Sequence, residues 1–113
     1  MSDEIKTVLF VDDEPNVLAS LRRLLRKEGY GLIFASGGQE ALDTLEIQPV
    51  DLVVSDVLMP EMDGVTFLKH VRDRYPDTIR LILTGYASKD FVKQALAEEC
   101  AHEVLAKPWD EEE

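Results

Sequence analysis

Five short apolar runs punctuate the chain: Val8–Val11, Leu32–Ala35, Leu52–Val54, Ile79–Leu83 and Val104–Ala106. They are rich in Val, Ile, Leu and Phe and mostly do not alternate with polar residues. A strand with one wet face alternates. A continuous apolar run of this length suits a strand buried on both faces, which means a parallel sheet covered by helices.

Helical patterns fill the intervals. Leu18, Leu21, Leu24 and Leu25 make one stripe, with Arg22, Arg23, Arg26 and Lys27 beside or opposite it. Pro15 suits the first turn of that helix and Gly29 its end. Ser36 to Gln39 reads S-x-x-Q, a capping box, ahead of Ala41, Leu42 and Leu45. Asp63 and Gly64 start a helix carrying Val65, Leu68 and Val71, which must stop before Pro76. Ser88 caps a fourth pattern with Phe91, Val92, Ala95 and Leu96. The order is β-α-β-α-β-α-β-α-β, the alternation of an α/β domain with right-handed crossovers. Trp109 to Glu113 reads as the cap and acidic first turn of a fifth helix whose body is missing. That truncation predicts a fragment of a longer protein, with apolar sheet surface open on one side and self-association covering it.

At 113 residues one domain around one core is expected. The net charge of −11 opposes nucleic acid and anionic membranes, whose phosphates are held by Lys and Arg. Cys100 is the only cysteine, so no internal disulfide forms. No apolar run nears the roughly 20 residues that span a bilayer. The start, MSDEIK, lacks the pattern of a signal peptide. The expected setting is reducing and cytoplasmic.

In an open parallel sheet, functional groups gather at the carboxyl ends of the strands. Asp12, Asp13 and Glu14 follow the first run, Ser55 and Asp56 the third, Thr84 and Gly85 the fourth, Lys107 and Pro108 the fifth. Two carboxylates about 4 Å apart repel by roughly 4 kcal/mol at an effective dielectric near 20, so such a cluster calls for cations. Lys107 supplies one positive charge, and an all-oxygen donor set favours Mg²⁺. A carboxylate is also a competent nucleophile toward phosphorus, and phosphoryl transfer needs positioning and charge neutralisation above all. Asp56, ending the central strand, is the candidate nucleophile.

The segments VLFVDDEP, VVSDVLMPEMDG, LTGYAS and LAKPW resemble the receiver domain of two-component response regulators, in the right order and over about Lys6 to Trp109. The resemblance implies a flavodoxin-like, doubly wound, five-stranded parallel sheet of order 2-1-3-4-5. It implies that residues 1–113 are a single receiver domain, the N-terminal part of a longer regulator. Asp56 is then the phosphoacceptor. Asp13 is the direct Mg²⁺ ligand, Asp12 acts through water, and the backbone carbonyl of Leu58 is a further ligand. Thr84 follows the phosphoryl group and Lys107 pairs with it, before a cis Lys107–Pro108 bond. The implied partners are a sensor histidine kinase or phosphotransfer protein and an output domain. LTGYAS with KPW is similar to receivers on HD-GYP phosphodiesterases or hybrid kinases. A domain of this kind catalyses only its own phosphorylation and dephosphorylation.

One position departs from the family. Members usually carry Tyr or Phe three residues before the lysine, and here that residue is Val104. The aromatic that swings inward on activation is absent, and Tyr86 or His102 are the nearby substitutes.

Other readings compete. A flavin or nucleotide binder on the same fold needs a Gly/Ser/Thr-rich loop after the first strand, and Asp-Asp-Glu-Pro stands there instead. An aspartyl phosphatase needs a second acid two residues past the nucleophile, where this chain has Leu58. A receiver working without phosphorylation would not need the acid, hydroxyl and lysine set. Plain structural roles are expected for several residues. The Asp63-Gly64 pair is a helix start, His70 lies on a solvated helix face, and His102 is at a strand edge. Met59 and Met62 are packing residues, and Cys100 is a small buried one. The Arg22 to Lys27 patch is a solvated face that could also help a kinase dock.

Overall fold

In the computed structural model, residues 6–57, 59–84, 93 and 101–106 are described, with backbone alone for 84 and 103–106. The elements are β1 (Thr7–Val11), α1 (Pro15–Leu25), β2 (Gly31–Ala35), α2 (Gly38–Ile47), β3 (Leu52–Ser55), α3 (Gly64–Arg74), β4 (Ile79–Thr84) and β5 (Glu103–Ala106). Each strand coincides with one of the apolar runs to within a residue at either end. The sheet has the order β2-β1-β3-β4-β5, and every pairing is parallel. The fourth and fifth helical patterns of the sequence lie outside the described residues.

The two-sided burial that the continuous runs imply is present. On one face Leu9, Val11, Val53 and Ile82 pack with Phe67, Leu68 and Val71 of α3 and with Ala41, Leu42 and Leu45 of α2. On the other, Val8, Phe10, Val54 and Leu83 pack with Leu21 of α1. Leu9, Val53, Phe67, Leu68 and Ile82 are fully buried. Side chains of this size contribute about 1.5–3 kcal/mol each when removed from water. On the α1 side, Val8, Phe10, Leu24, Leu52, Leu81 and neighbours line an open groove of about 1170 Å³. Neither Asp12 nor Asp56 lines it.

Local sequence explains the helix ends. Pro15 opens α1, where a missing N–H costs nothing. The helix ends at Leu25, and the turn after it closes at Gly29, whose φ of +86° suits only glycine at low cost. Asp63 caps α3 by accepting the Thr66 N–H at 2.8 Å. The capping box expected between Ser36 and Gln39 is not formed. The helix starts at Gly38, with Gly37 as its cap residue, and Ser36 instead donates to Glu40. Its Oε1 accepts both the Ser36 N–H (2.7 Å) and the Ser36 hydroxyl (2.8 Å). Gln39 turns outward and donates to Asp43 Oδ1.

The basic face of α1 is not wholly solvated either. The Arg22 guanidinium lies over the Phe34 ring, which stacks on Phe10 with centroids 5.6 Å apart. His102 stands one residue before β5 and extends the ladder. Its Nδ1 accepts the Arg80 N–H at 3.0 Å, and its own N–H donates to the Arg80 carbonyl at 2.7 Å. Met59 is buried and Met62 packs against the core, as expected.

Candidate functional site

The sheet brings the acids together. In the register of β1 against β3, Val11 faces Ser55, so the residues that follow, Asp12 and Asp56, leave adjacent strands side by side. The Asp56 N–H donates to the Val11 carbonyl at 2.9 Å, and the Asp12 N–H to the Ala35 carbonyl of β2 at 3.1 Å. Both residues are thus still held by the ladder when their side chains enter the site. Asp12 is 3% exposed and Asp56 8%, and Asp13 is the most open of the three.

One carboxylate oxygen from each of Asp12, Asp13 and Asp56 lies within 4.8 Å of the others. Three such charges at this distance repel by about 3.5 kcal/mol per pair at an effective dielectric near 20. Backbone donors offset part of this. Asp12 Oδ1 accepts the Glu14 N–H at 2.9 Å, and Asp56 Oδ1 accepts the Val57 N–H at 2.7 Å. An all-carboxylate oxygen set is the chemistry of a hard divalent ion.

Thr84 is the last residue of β4, at the same carboxyl rim, and Ala106 pairs with it at the end of β5. Leu58 and Lys107, the other expected site residues, lie outside the described residues, as do Tyr86 and Cys100.

The loop from β3 to α3 is tightly folded. Met62 N–H donates to the Pro60 carbonyl across Glu61, whose φ is +68°, a strained three-residue turn. Gly64 N–H then donates to the Val57 carbonyl at 2.7 Å. The Gly64 backbone lies directly on the Asp56 carbonyl. Sequence reasoning treats Gly64 as a helix start only. The one signal for more is a glycine where a helix could take any small residue.

Comparison with known proteins agrees with this geometry. The response regulator receiver domain family matches residues 8–113. The hydrogenase transcriptional regulatory protein HoxA of Cupriavidus necator is 38% identical over 109 residues, which is 96% of this chain and 22% of that protein. The sensor kinase CckA of Brucella abortus is 41% identical over 105 residues, 91% of this chain and 11% of that protein. The chain therefore spans a quarter or less of these relatives. Among solved structures, the receiver domain of an HD domain-containing protein from Pseudomonas fluorescens superposes with a TM-score of 0.92. It is 36% identical, covering 96% of this chain and 87% of that one. The response regulator TrrA of Thermotoga maritima, in complex with Mg(2+)-BeF, gives a TM-score of 0.83 at 32% identity, covering 94% and 90%. With a flavodoxin-like sheet, an acidic cluster at its carboxyl rim and a family match over nearly its whole length, the chain belongs to the response regulator receiver domains of two-component signalling.

Proposed function

We propose that Asp56 is the phosphoacceptor, receiving a phosphoryl group from a phosphohistidine on a sensor histidine kinase or phosphotransfer protein. The observation that carries this is the meeting of three carboxylates within 4.8 Å, with Asp56 leaving the strand at the centre of the sheet. In the transfer, a carboxylate oxygen of Asp56 forms a P–O bond as the P–N bond of the donor breaks. The electron pair of that bond stays on the imidazole nitrogen, which takes up a proton.

Asp12, Asp13, Asp56 and the Leu58 carbonyl would hold Mg²⁺, and the donor set fits a hard cation. Mg²⁺ when bound neutralises the equatorial phosphoryl oxygens. The likeness to TrrA, which was solved in complex with Mg(2+)-BeF, supports this. The Val57 N–H fixes the rotamer of the Asp56 carboxylate before transfer. Thr84 donates to one phosphoryl oxygen and Lys107 pairs with another. Water attack on the acyl phosphate then returns the carboxylate and inorganic phosphate. The domain turns over no external substrate.

We read residues 1–113 as one receiver domain, the N-terminal part of a longer regulator that works in the cytoplasm. Relatives several times longer than this chain support the reading of a longer regulator. The phosphoryl group adds nearly two negative charges at the rim and shifts the population of the surface that meets an output domain. An HD-GYP phosphodiesterase is the output the motifs suggest.

The test is incorporation of acid-labile phosphate from acetyl phosphate. About one equivalent in wild type with Mg²⁺, and none in Asp56→Asn, is expected for an aspartyl phosphate. Equal labelling of both overturns the assignment.

A further inference from the structure

We propose that Gly64 is a positioning residue for Asp56, holding the peptide unit that aims the phosphoacceptor carboxylate. The inference rests on the reading of Asp56 given above. A Cβ built on Gly64 would lie 1.9 Å from the Asp56 carbonyl oxygen, 2.8 Å from its carbon and 2.9 Å from Val57 Cα. All three are backbone atoms, so no change of rotamer makes room. The φ of Gly64 is outside the left-handed region, so the demand is for space and not for conformation.

The peptide linking Asp56 to Val57 is what couples this contact to the chemistry. It carries the Asp56 carbonyl on one side and the Val57 N–H on the other, and it is planar. The carbonyl is gripped by Gly64 and accepts the Ser55 hydroxyl at 2.9 Å. The N–H donates to Asp56 Oδ1 at 2.7 Å. Pushing the carbonyl aside must tilt the whole plane and swing the Val57 N–H away from the carboxylate. The Gly64 N–H, bonded to the Val57 carbonyl at 2.7 Å, holds the next peptide as well.

The helix that carries Gly64 cannot retreat cheaply. Phe67, Leu68 and Val71 of α3 are fully buried, and Asp63 caps its first turn. The strand exit is packed as tightly, with Ser55 and Val57 fully buried, so a methyl group at residue 64 bears directly on the Asp56 carbonyl.

The test compares wild type, Asp56→Asn, Gly64→Ala and Gly29→Ala by calorimetric Mg²⁺ titration, with acetyl phosphate labelling alongside. Gly29 is a control because its φ of +86° makes alanine strained there, while a Cβ meets nothing within 4 Å. Both alanine variants should lose stability. Only Gly64→Ala should also lose Mg²⁺ affinity, by about 10- to 100-fold, the usual cost of disturbing an outer-shell partner. If Gly64→Ala is unfolded in buffer, the titration is run in trimethylamine N-oxide, which favours the compact state.

A wild-type measurement stands beside the variants. In ¹⁵N spectra the Val57 and Gly64 amides should shift together as Mg²⁺ is added. Wild type that binds no Mg²⁺ and takes no label removes the reading of Asp56 itself. Wild type that binds, with Gly64→Ala binding equally well or with a Gly64 amide that stays still while Val57 moves, overturns the role of Gly64 and leaves Asp56 in place.

Discussion

The guanidinium carbon of Arg22 lies 4.7 Å from the centroid of the Phe34 ring. The contact ties α1 to the edge strand β2, because Phe34 also stacks on Phe10 of β1. Arg22→Ala should cost about 0.5–1 kcal/mol, the range for a cation over an exposed aromatic face. Urea denaturation would show a lower midpoint with an unchanged slope. In a Phe34→Leu background the same substitution should cost almost nothing, and an undiminished cost there would show that the ring is not the partner.

Neutralising the central acid should stabilise the metal-free domain. Asp56→Asn keeps an Oδ1 to accept the Val57 N–H and removes one of three crowded charges. A gain on the order of 1 kcal/mol is expected once solvent screening is allowed for. That corresponds to a melting temperature higher by roughly 2–6 °C. Added Mg²⁺ should erase the difference by stabilising wild type alone. Scanning calorimetry with and without Mg²⁺ checks both halves, and a lower melting temperature for the variant in chelated buffer contradicts the repulsion.

The cap of α3 is a separate stability element. Asp63→Ala leaves the Thr66 N–H without its acceptor and should cost about 1 kcal/mol. Asp63→Asn, which retains an acceptor oxygen, should stay close to wild type. Chemical denaturation of the pair distinguishes loss of the cap from loss of charge.

Glu40 carries a pH signature. The backbone N–H of Ser36, then its hydroxyl, both donate to the Glu40 carboxylate and hold its pKa below the ordinary glutamate value. The folded state therefore binds the proton less readily than the unfolded one. The stabilisation is present above the unfolded value and is lost as pH falls through the folded one. Glu40→Gln should remove this component, so the stability gap between wild type and variant narrows on acidification. An NMR titration of Glu40 with its midpoint at or above the ordinary range would contradict the contact.

The strands were readable from sequence because burial on both faces leaves short continuous apolar runs, whose length and Val/Ile content separate them from buried helix segments. Leu9 and Val53 sit at neighbouring register positions in the middle of two such runs. The acids were readable because the rule that chemistry collects at strand carboxyl ends needs only the strand ends. Ser36 shows where such reading fails. Its spacing to Gln39 fits a capping box, yet the helix begins at Gly38 and moves the partner one residue on, to Glu40. Gly64 failed for a different reason. Its contact joins the exit of one element to the entry of another, and that approach exists only in three dimensions. The bond from Arg80 to His102 is likewise a matter of register between β4 and the chain entering β5.

The pairing of Val11 with Ser55 has a last consequence. Neighbouring strands stand about 4.8 Å apart wherever a ladder forms, whatever side chains they carry. The gap between Asp12 and Asp56 is thus a ruler supplied by amide geometry. Helix faces, loops and partner-binding surfaces can be rewritten freely around it, and the distance between those two acids will not drift.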